Sequence, residues 1–371
     1  MPELPEVETV ARGLNEFLQG EVVRSVEVLR VDSVGYPEVS QFKKLLRGHS
    51  FGSARRRGKY IVVSLSENAS LVVHLRMSGR LVLKEKSVTA KQLALLEKTN
   101  FVRIRMVLES GRELHYEDMR VFGRIWYVPA GTAVEKIVTG IASLGVEPLT
   151  DLTVDYLVEA FRGKNQPIKN TLLDQTIIAG IGNIYADESL FLAGINPLQP
   201  AGKLKREQIS VLRDKIISVL TRSIELGGTT LRDYQNLTGV NGDYQNAAMV
   251  YGREAEGCHQ CGSSIERLKL AGRSSHFCPR CQPVSNTLRR AHEAAAQALK
   301  DARSEPSAKA TMKVSLRKSK VGSAKASQGP TGLMNTTSRK KGPTGKMNTA
   351  GANEGPTGKM NKRMEGKADT R

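Results

Sequence analysis

From Pro5 onward, Val7, Val10, Leu14, Phe17 and Leu18 recur at three- and four-residue spacing, the apolar stripe of an amphipathic helix. Pro5 suits the first helical position, and Glu6 and Glu8 suit the first turn. The period then falls to two. Val22–Leu29, Phe51–Leu65, Leu71–Leu75, Leu81–Leu83, Phe101–Leu108, Glu113–Tyr116 and Arg124–Val128 alternate apolar and polar residues over short runs punctuated by Gly, Ser and Asn. Strand after strand without intervening helices predicts an antiparallel β-sandwich, interrupted by the charged, helix-patterned stretch Lys84–Thr99. Gly140–Pro148 reads as a linker. The period becomes helical in Val154–Phe161, Ile168–Asp174, Asn183–Ala193 and Arg206–Leu226. Gly180-Ile-Gly182 precedes the third of these, and Gly194 and Pro197 end it. A long loop follows from Gly227 through Asp243. The fold class is α+β, with an N-terminal sandwich over residues 1–139, a helical domain over 140–245, a cysteine module over 246–282 and a tail over 283–371.

Charge narrows the partner. The 371 residues carry a formal net charge of +19, which points to a polyanion, most simply nucleic acid. The excess is uneven: from Pro283 to Arg371 there are 19 Lys and Arg against 6 Asp and Glu. That tail is poor in apolar residues. It repeats Gly-Pro-Thr-Gly-(Leu/Lys)-Met-Asn from Gly329, Gly342 and Gly355, and disorder is expected beyond a short helix at Leu288–Ala302. The N-terminus is acidic, with no secretory apolar core and no run long enough to span a bilayer, so no membrane partner is expected.

All four cysteines fall between positions 258 and 281 as two C-x-x-C pairs, Cys258/Cys261 and Cys278/Cys281. This spacing suits one tetrahedral, closed and therefore structural Zn²⁺ in a reducing cytoplasm better than a disulfide framework.

Chemistry concentrates at the other end. Removal of Met1 would leave Pro2 with a secondary amine, able to attack a carbonyl or a sugar C1′ and give an iminium. Such an amine titrates lower than lysine, so more of it is free base at neutral pH. Glu3 stands beside it as a proton donor and acceptor. The bland alternative is an acidic helix start that buries one apolar face. Arg55-Arg-Arg-Gly-Lys-Tyr60, His74-Leu-Arg-Met-Ser-Gly79, Asp118-Met-Arg-Val-Phe-Gly123 and Arg162-Gly-Lys-Asn-Gln-Pro-Ile-Lys169 each have a bland reading too: a solvated basic edge, ordinary turns, or a charged loop.

Pro2-Glu-Leu-Pro-Glu-Val-Glu-Thr-Val10, with these later segments in the same order, resembles the formamidopyrimidine-DNA glycosylases, bacterial base-excision repair enzymes. The resemblance runs from Met1 to about Gln282. It implies that Gly180-Ile-Gly-Asn183 joins two helices of a helix–two-turn–helix DNA-binding unit and that the cysteine module is a zinc finger. It implies Pro2 as nucleophile and Glu3 as proton carrier, with Lys59 and the finger's Arg273 at the lesion-strand phosphates. His74, Asn165, Lys169 and Asn183 would hold backbone phosphate. Met77 would fill the gap left by a flipped nucleotide, Arg120 would pair with the orphaned base, and Phe122 would wedge the opposite strand. The chain departs from the family's usual residues at Thr99, Met119, Val121 and Asn165. The implied activity is removal of oxidised purines (8-oxoguanine, formamidopyrimidines) from duplex DNA and strand cleavage by β,δ-elimination. The implied protein is a cytoplasmic, nucleoid-associated monomer acting on damaged DNA. An endonuclease VIII-like enzyme for oxidised pyrimidines and a non-catalytic zinc-ribbon DNA-binding protein are the alternatives. The Pro2–Glu3 pair discriminates the last, since binding alone has no use for it.

Overall fold

The computed structural model describes residues 2–304, apart from 86–88, 100, 230–236 and 238. The tail repeats and much of the loop after Thr229 lie outside these residues. The chain opens with helix α1 (Leu4–Phe17), strands β1 (Val23–Val28) and β2 (Val34–Tyr36), helix α2 (Val39–Leu46), and strands β3 (Phe51–Arg57), β4 (Tyr60–Leu65), β5 (Ser70–His74) and β6 (Gly79–Lys84). Helix α3 (Ala90–Thr99) precedes β7 (Val102–Leu108), β8 (Glu113–Asp118) and β9 (Arg124–Val128). A four-stranded sheet in the order β1-β7-β8-β6 faces a five-stranded sheet in the order β2-β9-β5-β4-β3. All pairings are antiparallel except the short edge contact of β2 with β9.

Ile61, Val63, Leu71, Val73 and Ile125 of one sheet and Leu81, Ile104, Met106, Leu114 and Tyr116 of the other share one buried core. The run Phe51–Leu65 breaks into two strands at the turn Gly58-Lys59, where Gly58 has φ +55°. Elements β2 and α2 escape the periodicity because β2 is three residues long and α2 buries only Phe42 and Leu46.

The turns α4 (Val134–Ile137) and α5 (Thr139–Ala142) lead into the helical half, so the expected linker begins within α5. There α6 (Val154–Phe161), α7 (Ile168–Leu172), α8 (Asn183–Leu192) and α9 (Arg206–Glu225) surround a second core that includes Phe161, Ile168, Tyr185, Leu190, Leu212 and Ile216. After α10 (Tyr244–Ala247) the hairpin β10 (Glu266–Leu270) and β11 (Arg273–Phe277) projects between the cysteine pairs, and α11 (Asn286–Ser304) follows.

Helix α1 joins the two halves. Val7, Val10, Ala11 and Leu14 belong to the sandwich core, whereas Leu4 is wholly buried in the helical core. Burying one such leucine is worth about 2–3 kcal/mol. The start of α1 is therefore held by the helical domain and its body by the sandwich. No helix among the described residues is long and apolar enough to cross a membrane.

Candidate active site

The N-terminus of α1 meets the N-terminus of α8. Leu4 N donates to Gly180 O at 3.1 Å, and the Glu3 carboxylate accepts from Ile184 N at 3.2 Å and Tyr185 N at 3.5 Å. These are free amides of the first turn of α8, at the positive end of its dipole. Gly182 makes the approach possible, since a Cβ there would stand 2.1 Å from Glu3 Cδ. Gly180, at φ +88°, similarly leaves room for Leu4. The Gly-x-Gly pair thus clears space for the chain's first residues. Gly182 is the N-cap of α8, and Asn183 is its first helical residue, only partly exposed.

Glu3 is buried, and desolvation pushes its pKa up to about 6; Lys59 pulls it back down and Glu6 pushes it further up. Glu6 is also buried and raised, again chiefly by desolvation. Its carboxylate accepts from Glu3 N (2.7 Å), Thr229 N (2.7 Å) and the Tyr185 hydroxyl. That hydroxyl also lies 2.7 Å from Ser223 Oγ and 3.1 Å from Thr229 Oγ1. Burial holds the Lys59 pKa below the ordinary lysine value, while Glu3 and then Glu6 oppose that shift and Arg273 adds to it. Pro2 is buried beside Glu3. Glu3, Lys59 and Arg273, far apart in sequence, therefore share one electrostatic neighbourhood, and Pro2 adjoins Glu3 in the chain. A cavity of about 430 Å³ adjoins the Glu3–Glu6 carboxylates, lined by Ile184, Thr229, Tyr244, Tyr251, Arg253 and His259 among others. It shares Ile184 and Thr229 with the carboxylate network.

Two sandwich loops carry the other expected residues. His74 ends β5 with its ring edge-on to Tyr60, and its Nδ1 accepts from Arg76 N at 3.0 Å. Burial first, then Arg76 and Lys59, depress its pKa to about 3. The imidazole is therefore neutral, and its proton resides on Nε2 as a hydrogen-bond donor. Met77, Met119 and Phe122 are about half exposed, unusual for large apolar side chains. Arg120 stacks over Phe122, 4.7 Å from the ring centroid. Asp118, wholly buried, ties the two loops together: it accepts from Ser78 Oγ (2.5 Å), Arg120 N (3.2 Å), Gly123 N (2.8 Å) and the Tyr116 hydroxyl (3.2 Å). Its motif membership was visible in the sequence; its role as a clip was not.

The helical domain gives Lys169 buried partners. Lys169 is fully buried, with Nζ 2.6 Å from Asp187 Oδ1 and donating to Ser274 O at 2.6 Å. It ties α7 and α8 to β11. Asp187 also accepts from Ser275 Oγ (3.1 Å) and His276 N (2.9 Å), one residue away from Glu188, which takes the amides of Met249, Val250 and Tyr251 at 2.7–2.9 Å. The Asp-Glu pair of α8 therefore anchors the finger, a function its acidic pattern alone does not reveal. Asn165 is exposed on the loop before α7.

The four cysteine sulfurs lie within 4.8 Å of one another, with Cys258–Cys281 at 3.9 Å and Cys261–Cys278 at 3.4 Å. A tetrahedron with Zn–S bonds of about 2.3 Å has edges of roughly 3.8 Å, so the donor set fits one structural zinc. Few apolar residues, chiefly Phe191, Val250 and Ile265, pack with these cysteines. Metal binding must therefore supply much of the module's folding energy. Arg273 is exposed at the hairpin's tip, where Ala271 and Gly272 both have positive φ.

Family models match along the chain in this order. Residues 1–125 match the formamidopyrimidine-DNA glycosylase N-terminal domain, 144–235 its H2TH domain, and 256–284 a zinc finger found in FPG and IleRS. The chain belongs to the formamidopyrimidine-DNA glycosylase family. The family member of Rippkaea orientalis is 47% identical over 289 residues, which is 76% of this chain and 100% of that protein. The one from Gloeobacter violaceus is 46% identical over 291 residues, 78% of this chain and all of that protein. Among solved structures, a complex of the Lactococcus lactis Fpg with DNA containing an abasic site matches with a TM-score of 0.68 at 34% identity. A complex of that Fpg with N7-benzyl-Fapy-dG DNA matches with a TM-score of 0.69, also at 34% identity. Both cover 76% of this chain and 100% of the structure. The protein is a DNA glycosylase with a zinc finger, which excludes the non-catalytic reading. The residues beyond about 290 lie outside the shared family body.

Proposed function

We propose that the protein excises oxidised purines from duplex DNA through a Pro2 Schiff base and then cuts the strand. One observation carries this reading: the first residues of the chain, Glu3 included, are locked against the start of α8 beside a cavity of about 430 Å³, large enough for a flipped base. A buried carboxylate with a pKa near 6 next to the N-terminal residue has no evident use in binding alone.

With Met1 removed, the Pro2 nitrogen attacks C1′. The glycosidic bond breaks, its electron pair leaves with the base, and the base takes up a proton. Glu3 carries protons at the sugar as the ring opens to a Pro2–C1′ iminium. The iminium acidifies the C2′ hydrogen, and its loss expels the 3′ phosphate; a second elimination expels the 5′ phosphate. Lys59, less basic than an ordinary lysine, and Arg273 stabilise the leaving phosphates. Neutral His74 donates a hydrogen bond to backbone phosphate. Asn183 and Asn165 bind phosphate at the helical domain, and Lys169 acts through the position of the finger. Met77, Arg120 and Phe122 occupy the gap in the duplex. The zinc, held by Cys258, Cys261, Cys278 and Cys281, shapes the finger and takes part in no bond breaking.

A second reading, action on oxidised pyrimidines, is supported by a matching structure of the Lactococcus lactis Fpg with DNA containing an oxidised pyrimidine. Borohydride trapping on duplexes with 8-oxoguanine or thymine glycol tests both points. A covalent adduct that forms faster with 8-oxoguanine is expected. Absence of an adduct with either lesion would overturn the Schiff-base reading.

A further inference from the structure

Lys59 lies in a two-residue turn, and a long side chain on a turn is poorly aimed unless the turn itself is fixed. The fixing comes from the segment between the domains. Glu147 Oε1 accepts from Gly58 N at 2.6 Å and from Arg57 Nη1 at 2.9 Å. Its Oε2 lies 2.6 Å from Arg56 Nη1. Arg56 is mostly buried and also pairs with Glu8 of α1 at 3.1 Å. Arg57 Nη2 donates to Leu144 O (3.0 Å) and Gly145 O (2.8 Å). Two of the three arginines that read as a solvated basic edge are thus bound inward.

The same segment is pinned to the loop that receives Glu3. Gly145 N donates to Gln175 O (2.8 Å), and Ala179 N donates to Val146 O (3.0 Å). Gly180, the next residue, takes the Leu4 amide. A Cβ on Gly145 would stand 2.2 Å from Ile177 O, so the backbones are in direct contact. One post therefore carries both the turn that bears Lys59 and the loop that seats Glu3.

We propose that Glu147 is a positioning residue for Lys59, holding its ammonium at a set distance from Glu3 and from the phosphates of the lesion strand. Its carboxylate accepts the turn's own amide, so its removal frees the turn itself as well as two arginines. This rests on Lys59 acting at the lesion strand, and the test separates the two claims.

Single-turnover cleavage of an abasic-site duplex at saturating enzyme is measured for wild type, Glu147→Ala, Lys59→Gln and the double variant. Glu147→Ala should slow cleavage roughly 10- to 100-fold, the scale of a misplaced catalytic group, with affinity for the duplex within about threefold. In the Lys59→Gln background the same change should cost less than about twofold, because contacts that act through one residue are not additive. Glu147→Gln keeps an acceptor for Gly58 N, so it should lose less than Glu147→Ala. It also serves as the reporter should the alanine variant not fold. Equal losses from Glu147→Ala, or from Glu147→Gln in its place, in both backgrounds would overturn the positioning role. No loss from Lys59→Gln alone would instead overturn the reading of Lys59.

Discussion

Gly182 vacates the space that the Glu3 carboxylate fills, with only 2.1 Å between Glu3 Cδ and the place a Cβ would take. The constraint is contact alone, because the φ of Gly182, −128°, suits any residue. Gly182→Ala should therefore leave the fold intact at a cost of about 1–3 kcal/mol, the usual penalty of overpacking. It should slow base excision by about 100-fold or more, since a displacement on the order of 1 Å is enough for that. Thermal unfolding and single-turnover excision check the two halves. Excision at the wild-type rate would show that the seat on α8 does not position Glu3.

The raised pKa of Glu3 has a stability consequence. Between the unfolded value near 4.5 and the folded value of about 6, the folded protein binds more protons than the unfolded chain. Stability from this group is fully present below about 4.5 and is lost as pH rises through 6. The shift corresponds to about 2 kcal/mol. Glu6 shifts in the same direction. Glu3→Gln keeps one acceptor for the α8 amides and removes the buried charge. It should gain about 1–2 kcal/mol near pH 7.5, lose that gain toward pH 4.5, and abolish base excision. Urea unfolding at the two pH values measures the difference. A constant difference across pH would mean that Glu3 titrates normally.

How much of this was legible in the sequence depends on whether a contact is local. The four cysteines are recognisable because metal ligation is tied to short spacings, and Pro2 and Glu3 because the opening motif resembles a known family. The amphipathic stripe of α1 and the alternating strands were legible because their spacings too are short. The partners of those residues were not: Glu3 meets Ile184 across 181 positions, and Glu147 meets Arg57 across 90. Lys169 is expected at backbone phosphate, and nothing near it in sequence announces Asp187 as its buried partner. Asp118, Asp187 and Glu188 are hydrogen-bond hubs whose donors are mainly backbone amides and hydroxyls, which no residue pattern encodes.

The zinc site predicts a local collapse. Cys261→Ser should release the metal and disorder the β10–β11 hairpin with Arg273, while the sandwich, whose core contains none of these residues, stays folded. DNA affinity should fall more than tenfold, on the order of the loss of a few phosphate contacts. Metal analysis and a binding titration check this. A wild-type protein purified without zinc would remove its basis.

Met77 and Phe122 are exposed on loops that Asp118 clips together, which would hold the proposed wedge in place before DNA arrives. Met77→Ala should slow excision from a fully paired lesion duplex about tenfold and cleavage at a preformed abasic site less than about threefold, because the abasic sugar has no base to unstack. Single-turnover rates on the two duplexes decide it. Equal losses would count against a wedge.

The tail calls for two truncations, because helix α11 stands between Gln282 and the rest of it. Gln282 is buried: its side chain accepts from Cys278 N at 3.0 Å and donates to Ile195 O at 2.7 Å, and its carbonyl takes Asn196 Nδ2 at 2.7 Å. Helix α11 follows, and Arg289 reaches back to Glu266 of the finger hairpin at 2.8 Å. A cut after Gln282 therefore removes a contact to the hairpin that bears Arg273, whereas a cut after Ser304 leaves it. Most of the tail's excess of Lys and Arg lies beyond Ser304. Each phosphate those residues neutralise adds about 0.9 to the magnitude of the slope of log K against log salt, without regard to lesion or sequence. Deletion after Ser304 should weaken binding to undamaged duplex and flatten its salt dependence, with single-turnover cleavage unchanged. Deletion after Gln282 should add a loss of about twofold or more in lesion binding, as expected when an exposed ion pair worth roughly 0.2–1 kcal/mol goes together with its helix. Identical salt slopes for the full chain and the Ser304 truncation would show that the basic tail does not touch DNA. Identical lesion affinity for the two truncations would show that α11 does not brace the finger.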